Sequence, residues 1–276
     1  MLVLTPPGCA NPRRPSITDT LGPVTKLLAL AAVPVCLMLA LTAPASGARG
    51  SVSEATSAGA SVRLLLRASE TSGRVAVDSS PFHNNGVFKG GVGRLDGAYR
   101  FHPGYPRDRI RVEDHPSLSP GRRAFAFGAD VRVHPNAFWE HPEMAVVRHG
   151  DSDTRGGDYK LEIEQTARGA VVATCVMHDG VGGFGYVKGD GPLATIDDGL
   201  WHRITCSRAP SAATVSLTID GVTTTRADHK LGSIVGFDPV LIGVHLRRDG
   251  VRLREQFVGR MDNIRIAVGP RPLRGP

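Results

Sequence analysis

The stretch that decides the fold is Thr214-Val215-Ser216-Leu217-Thr218-Ile219-Asp220-Gly221, followed by Val222-Thr223-Thr224-Thr225. In its first half, apolar side chains alternate with hydroxyl-bearing ones, which is typical of a strand with one buried face. An Asp-Gly pair between two such runs is a hairpin turn signal. The stretch therefore predicts two antiparallel strands joined by a tight turn.

The same kind of strand pattern recurs on both sides of this hairpin. We predict further strands at 61–66, 108–113, 124–133, 144–148, 159–164, 171–176, 201–206, 240–243 and 257–266. No repeat of 20 to 50 residues is evident, which disfavours a propeller. Many short strands with regular turns predict an all-β fold, a two-sheet antiparallel jelly-roll sandwich that forms a single domain.

The composition excludes several other classes of protein. The 276 residues include 33 Gly and 20 Pro without a fixed glycine period, so the chain is not collagen-like. A hydrophobic fraction of 41% is enough for a core and excludes wholesale disorder. The formal charge of +7 is spread along the chain, and no nucleic-acid motif accompanies it. We therefore expect no nucleic-acid partner.

The N-terminal region has the pattern of a secretory signal peptide. Lys26 precedes an apolar run at 27–41, and small residues follow at 42–48. The run is at the short end for a membrane span and contains Pro34, although a membrane anchor is the alternative. We predict a secreted, extracellular protein with no membrane insertion after signal cleavage. Its predicted segments are an extension and signal peptide at 1–48, a flexible leader at 49–60, the domain at 61–268 and a tail at 269–276.

Two cysteines remain after the predicted cleavage, Cys175 and Cys206. An even pair in a secreted chain predicts a disulfide, with two free buried thiols as the alternative. Because 165–170 is a predicted turn, we expect both cysteines on nearby strands of one sheet. We also expect Trp201 to fill the core beside the disulfide and His202 to make local hydrogen bonds.

Four stretches occur in a characteristic order along the chain. They are Asp78-Ser79-Ser80-Pro81-Phe82-His83-Asn84-Asn85-Gly86, Leu95-Asp96-Gly97-Ala98-Tyr99-Arg100-Phe101, Asp198-Gly199-Leu200-Trp201-His202-Arg203-Ile204 leading to Leu217-Thr218-Ile219-Asp220-Gly221, and Phe257-Val258-Gly259-Arg260-Met261-Asp262-Asn263-Ile264-Arg265-Ile266. Together they resemble a laminin G-like domain of the concanavalin A-like lectin/glucanase superfamily, of a secreted bacterial type. The resemblance covers about 61–268. It implies a two-sheet jelly roll that binds glycans or extracellular proteins, often with a bound calcium ion.

The early polar turn carries the side-chain oxygens that a calcium ion needs. Calcium takes six to eight oxygen ligands from carboxylates, amides and backbone carbonyls. The resemblance implies that this turn lies near the last strand, which would bring Asp262 towards Asp78. We predict Asp78, Asn84 and Asp262 as ligands of a structural calcium ion. The alternative is a local turn at Asp78 and an Asp262 that pairs with Arg265.

Three aromatic residues are candidates for ligand binding. Phe138 and Trp139 lie in a predicted loop between Pro135 and Pro142, and Tyr186 ends a glycine-rich stretch. Aromatic side chains in loops can stack on sugars or anchor a protein partner, although they also fold back onto sheet edges. We predict Phe138, Trp139 and Tyr186 as ligand-binding residues.

A glycoside hydrolase is the alternative function. Glu162 and Glu164 are two residues apart in a predicted strand and would share one face of a sheet. A retaining glycosidase needs two carboxyls about 5–5.5 Å apart, and this pair is of that order. The third acidic residue of the glucanase strand is missing, so we predict no catalytic residues and no enzyme. The predicted function is a secreted, non-catalytic module that binds glycans or extracellular proteins.

Overall fold

A computed structural model of the chain describes residues 60–103, 108–134, 137–139, 142–151, 155–189, 196–246 and 253–269. The predicted extension and signal peptide at 1–48 lie outside the described residues, as do 49–59 of the leader and 270–276 of the tail. Within the described part of the chain, no helix is long and apolar enough to cross a membrane.

The described residues form an all-β structure. Short 3-10 helices lie at Pro116–Leu118, Ala137–Trp139 and Pro210–Ala212. The strands are β1 Ser61–Leu66, β2 Val75–Ala76, β3 Gly86–Lys89, β4 Gly93–Leu95, β5 Ala98–Phe101, β6 Arg109–Val112, β7 Phe125–Val133, β8 Glu143–His149, β9 Asp158–Gln165, β10 Val171–His178, β11 Phe184–Lys188, β12 His202–Ala209, β13 Thr214–Ile219, β14 Val222–Ala227, β15 Val240–Ile242, β16 His245–Leu246, β17 Leu253–Arg254 and β18 Gly259–Val268.

Two antiparallel sheets contain nearly all of these strands, as the predicted sandwich requires. The first sheet has the order β14-β13-β12-β7-β18-β5-β4, and β1 pairs with the C-terminal half of β18. The second sheet has the order β11-β10-β9-β8-β15-β6-β3-β2, and β16 pairs with β17 alone. The all-β jelly-roll prediction is therefore confirmed. Its longest strands, β7 and β18, are neighbours in the middle of the first sheet.

A single apolar cluster fills the space between the sheets. In β9, Tyr159, Leu161 and Ile163 are fully buried in it, while the intervening residues face the other way. In β13, Val215 and Leu217 are buried in the same cluster. The period of two that predicted the strands thus also assigns each residue to the core or to an outer face.

The Asp-Gly hairpin forms as predicted. Ile219 pairs with Val222, and Asp220 and Gly221 between them have φ angles of 49° and 87°. Positive φ at both central residues is the type I′ geometry that matches the twist of the flanking strands.

Cys175 and Cys206 form the predicted disulfide, but the expectation that they share a sheet is wrong. Cys175 lies on β10 of the second sheet and Cys206 on β12 of the first, with their Cα atoms 5.7 Å apart. Both side chains are fully buried in the core cluster, since each sits at an inward position of its strand. The bond therefore joins the two layers instead of pinning two neighbouring strands.

The expectation that Trp201 fills the core is also wrong. Its side chain is 43% exposed, because the residue precedes β12 and lies on the outer side of the first sheet. His202 makes the predicted local contacts, since its two ring nitrogens lie 3.0 Å from Asp198 Oδ1 and 2.8 Å from Asp220 Oδ2.

Candidate functional site

The outer face of the second sheet carries an array of polar and aromatic side chains across β8 to β11. Because the odd-numbered residues of β9 face the core, its outward residues are Asp158, Lys160, Glu162 and Glu164. On β10, Glu162 faces Thr174 and Lys160 faces Val176. Next to them, Lys188 and Tyr186 of β11 continue the same two rows. We call this array the β8–β11 face.

At one side of this face lies a network of charged side chains that we call the Arg148 cluster. Its members are Arg148, Asp151, Lys160, Glu162, His245 and Glu255. Arg148 is 3% exposed, and its Nη1 donates to Glu162 Oε1 at 3.1 Å. Its Nη2 donates to Asp151 Oδ1 at 2.5 Å, and Glu255 Oε2 lies 3.6 Å from Nη1. One buried guanidinium therefore faces three carboxylates.

Residues outside β8 and β9 complete the cluster. Glu255 follows β17 and has a positive φ of 53°, and its carbonyl accepts a hydrogen bond from Ala145 N at 2.8 Å. His245 Nδ1 lies 2.8 Å from Glu255 Oε1, and its Nε2 lies 3.1 Å from Asp151 Oδ2. The cluster thus ties the segment around β16 and β17 to the second sheet.

The two glutamates of the cluster have opposite pKa shifts. Burial, together with the charge of Glu255, raises the pKa of Glu162 to about 7 against the attraction of Lys160 and Arg148. Burial also opposes ionisation of Glu255, but the hydrogen bond and charge of His245 outweigh it and lower the pKa of Glu255 to about 2. Glu162 therefore titrates close to neutral pH, while Glu255 is ionised there.

Glu162 and Glu164 occupy different surroundings. Glu162 Oε2 lies 2.7 Å from Lys160 Nζ, in addition to its bond with Arg148. Glu164 Oε1 accepts from Thr174 Oγ1 at 2.6 Å and lies 2.9 Å from Lys188 Nζ. These contacts lower the pKa of Glu164 although burial opposes this. The two carboxylates share the outer face as predicted, and each has its own cationic partner.

Tyr186 lies on this face, on the edge strand β11 of the second sheet. Its ring is 45% exposed, and Phe184 two residues earlier is exposed on the same side. Phe184 stacks on His229 with ring centroids 4.3 Å apart. Beside it, His178 Nδ1 lies 2.7 Å from the buried Asp158 Oδ1. The ligand role of Tyr186 stays a prediction, and its exposure is what that role needs.

Phe138 is not available as a surface platform, and this corrects its prediction as a ligand-binding residue. Its side chain is 8% exposed and belongs to the core cluster. It lies on the short helix Ala137–Trp139, which turns the ring inward after β7 ends. The side chain of Trp139 lies outside what the structure describes, so its role stays a prediction.

The Asp78 carboxylate is 1% exposed, and both of its oxygens already accept hydrogen bonds. Oδ1 accepts from Leu65 N at 2.8 Å and Ser80 N at 2.9 Å. Oδ2 accepts from Ser80 Oγ at 2.7 Å and Asn84 N at 2.8 Å. These four donors fill the lone pairs that a cation would use, so the turn holds β1 against residues 78–84.

The predicted calcium ligands do not fit a calcium ion as they are arranged. The Asn84 side chain donates from Nδ2 to Arg63 O and Ser117 Oγ. Asp262 Oδ2 accepts from Asn263 Nδ2 at 3.2 Å on β18. Among the described residues, no group of three or more His, Cys, Asp or Glu side chains could hold a metal ion. The calcium site thus stays a prediction that this geometry does not favour.

Sequence reasoning missed most of the Arg148 cluster. Arg148, His245 and Glu255 are separated by long stretches of chain, and no spacing rule connects them. The available signal was an arginine at the end of an apolar strand, in Met144-Ala145-Val146-Val147-Arg148. Such a charge needs buried partners when both faces of the strand are covered.

Comparison with known proteins agrees with the fold, and the region that matches contains part of the candidate site. A family model described as a laminin G domain matches residues 165–268. Residues 165–268 are therefore similar to a laminin G domain. The matched residues contain β10 to β18. They also contain Glu255 and both cysteines of the disulfide. None of the curated proteins searched matches the chain by sequence.

Solved structures of toxin binding domains resemble this chain. The binding domain of Paraclostridial Mosquitocidal Protein 1 has a TM-score of 0.57 and 17% identity, with 77% of this chain and 50% of that chain covered. Two structures of the botulinum neurotoxin DC binding domain each cover 77% of this chain and 49% of that chain. The complex with rat synaptotagmin II has a TM-score of 0.56 and 10% identity, and the complex with SialylT has 0.54 and 11%. The chain spans about half the length of these structures, and at such identities the likeness shows the fold alone.

Proposed function

We propose that this laminin G-like domain is a secreted, non-catalytic module that binds glycans through the β8–β11 face. The observation that carries the proposal is the exposed ring of Tyr186 beside outward polar groups of the same sheet. Aromatic rings supply flat apolar area for sugar stacking, and Lys160, Glu164 and Lys188 supply donors and acceptors for hydroxyl groups. The resembling botulinum domain solved with SialylT supports a glycan as the first class to test.

The test is a glycan array with the full chain, run with calcium and again with a chelator. We expect a neutral glycan among the ligands and the same binding in both conditions. Tyr186→Ala should weaken that binding about tenfold or more, which corresponds to the loss of one stacking contact. Val75→Ala is the control, because Val75 is an apolar residue that is 44% exposed on β2, at the opposite edge of the second sheet from β11. Equal binding by Tyr186→Ala and the unaltered chain would contradict the proposal.

An extracellular protein is the second candidate ligand. Val181 and Phe237 are exposed apolar residues, and Phe237 lies beside Gly156, which contacts Gly180. Exposed apolar side chains at one end of a sandwich can anchor a protein partner. Two results together would favour a protein ligand. No glycan would bind in either array condition, and Phe237→Ala would abolish capture of a purified surface protein.

A hydrolase is the alternative that the pKa of Glu162 favours, since a carboxyl with a pKa of about 7 can act as a general acid. Glu164 cannot complete the pair without leaving Thr174 and Lys188. We therefore expect no release of reducing ends from polysaccharides. Release that Glu162→Gln abolishes would replace the binding proposal with the enzymatic one.

A further inference from the structure

Three arginines lie side by side on the outer face of the first sheet. Arg100 of β5 pairs with Arg260 of β18, and Arg260 pairs with Arg132 of β7 on its other side. Residues directly opposite in neighbouring strands point to the same face. The residues next to them in each strand, including Tyr99, Met261 and Val131, are buried in the core, so the three arginines point outward. We call them the arginine row.

The arginine row is unfavourable for the folded protein by itself. Neighbouring strands are about 4.8 Å apart, and like charges that face each other across strands are destabilising. Arg100 and Arg132 are exposed. Within the described residues, one carboxylate pairs with the row, since Arg260 Nη1 lies 2.7 Å from Asp96 Oδ2, and the Asp96 side chain is 71% exposed. Three adjacent cations with one exposed counter-charge form a surface that an external anion would stabilise.

Trp201 extends the row at its β12 side. His202 pairs with Val131, so one residue further along this register Trp201 lies level with Arg132. Arg132 Nε donates to Gly199 O at 2.5 Å, which independently ties the loop before β12 to the row. A half-exposed indole therefore borders the cations on the same face of the sheet.

The surroundings restrict the shape of the ligand. Guanidinium groups bind carboxylates and tetrahedral oxyanions with paired hydrogen bonds, and an indole offers a flat surface for a sugar ring. In the next row along the strands, Asp262 faces Asp130, and Arg203 holds Asp130 through both oxygens. A broad polyanion such as a nucleic-acid duplex would meet these carboxylates, whereas a single narrow chain laid across the strands would not.

We propose that Arg100, Arg260, Arg132 and Trp201 bind an acidic polysaccharide, a glycan chain that bears carboxylate or sulfate groups. This site lies on the sheet opposite the β8–β11 face and does not depend on the glycan binding proposed for Tyr186. The proposal gives a binding role to Trp201, which the sequence pattern predicts to be buried in the core.

The test measures binding of the full chain to four immobilised polymers: polygalacturonate, dextran sulfate, neutral dextran and single-stranded DNA. We expect binding to polygalacturonate or dextran sulfate, which differ in the source of the anionic charge. The double substitution Arg100→Gln/Arg132→Gln should weaken this binding about tenfold or more. Trp201→Ala should weaken it less, by about threefold to tenfold, and added salt should weaken it because exposed charges are screened.

The matched control is Arg122→Gln/Arg226→Gln, which removes the same two charges from exposed positions. Arg122 precedes β7 at the end opposite to Arg132, and Arg226 pairs with Val215 at that same end. The thermal unfolding temperature of the Arg100→Gln/Arg132→Gln variant should stay close to that of the unaltered chain, since relief of like-charge repulsion offsets the lost hydrogen bond from Arg132 to Gly199 O. The proposal is overturned by no binding to either acidic polymer, by equal losses in both double variants, or by tighter binding to DNA than to the polysaccharides.

Discussion

Asp78 and Glu162 are both buried carboxylates in β-structure, yet their oxygens meet different partners. The Asp78 oxygens accept from three backbone N–H groups and one hydroxyl. The Glu162 oxygens face Arg148 and Lys160, and Glu255 lies beside them. One carboxylate is held by neutral groups of nearby chain, and the other belongs to a set of charges drawn from separate strands.

The partners of Asp78 have a purely structural role, whereas the partners of Glu162 include groups that can change their charge. Backbone donors are fixed by the fold and cannot change protonation, so the Asp78 turn is a permanent tie between β1 and 78–84. The Arg148 cluster contains several groups whose charge depends on pH and on one another. Substitutions in the two regions should therefore differ in how much stability they remove and in how that loss depends on pH.

The largest expected effect comes from Arg148→Met. The substitution leaves Asp151, Glu162 and Glu255 without the buried cation that they share. Breaking a buried ion-pair network typically costs about 3–5 kcal/mol in the free energy of unfolding. We expect about 4 kcal/mol by urea denaturation at pH 7. The exposed substitution Arg122→Gln is the control and should change stability by less than about 0.5 kcal/mol. A loss below about 1 kcal/mol for Arg148→Met would show that the cluster contributes little to the fold.

A somewhat smaller loss is expected for Asp78→Ala. It leaves buried donors of Leu65, Ser80 and Asn84 without their acceptor, and each unsatisfied donor costs about 1–3 kcal/mol before relaxation and water entry. We expect about 3 kcal/mol, nearly constant between pH 6 and 8, because the donors do not titrate there. Glu113→Gln, at an exposed carboxylate, should leave the unfolding midpoint unchanged. A strong pH dependence of the Asp78→Ala loss in this range would contradict the structural assignment.

The fold could be predicted from sequence because its long strands alternate with a period of two. The predicted 61–66 and 214–219 coincide with β1 and β13, and 124–133 differs from β7 by one residue. The shorter β3, β4 and β5 were missed, since three or four residues between turns show too little alternation. The Asp78 turn was also accessible, because its acceptor and most donors lie within seven residues of each other.

Alternation along the sequence could not predict which sheets the disulfide joins. It also could not predict that the Arg148 cluster forms. Alternation shows that Cys175 faces the core, but it does not show which layer the strand enters. Likewise, Arg148 meets Glu255 only because β8 and the chain after β17 come together in the folded sheet. The arginine row has the same origin, since it depends on the register of three strands far apart in sequence.

The pH dependence of stability should distinguish Glu162→Gln from the unaltered chain. The pKa of Glu162 is raised from 4.5 to about 7, so the folded state holds a proton that the unfolded state has released between these values. Stability from this group is therefore present below pH 4.5 and is lost as pH rises towards 7. Glutamine does not titrate, so the variant should gain on the order of 2 kcal/mol relative to the unaltered chain between pH 4.5 and 7.5. Parallel stability curves for the two proteins would show that Glu162 is ionised throughout.

The smallest expected effect is that of a calcium chelator on thermal unfolding. If calcium were bound at one hundred times its Kd, it would stabilise the folded state by about 2.7 kcal/mol, and its removal would lower the unfolding temperature by roughly 5–10 °C for a domain of this size. We expect a shift below about 1 °C, because the oxygens of Asp78 are filled by donors that a cation cannot replace without breaking the turn. Magnesium serves as the control cation and should also have no effect. A calcium-specific shift that Asp262→Asn removes would instead place a metal ligand on β18, and Asp78→Asn would then show whether the turn opens to join it.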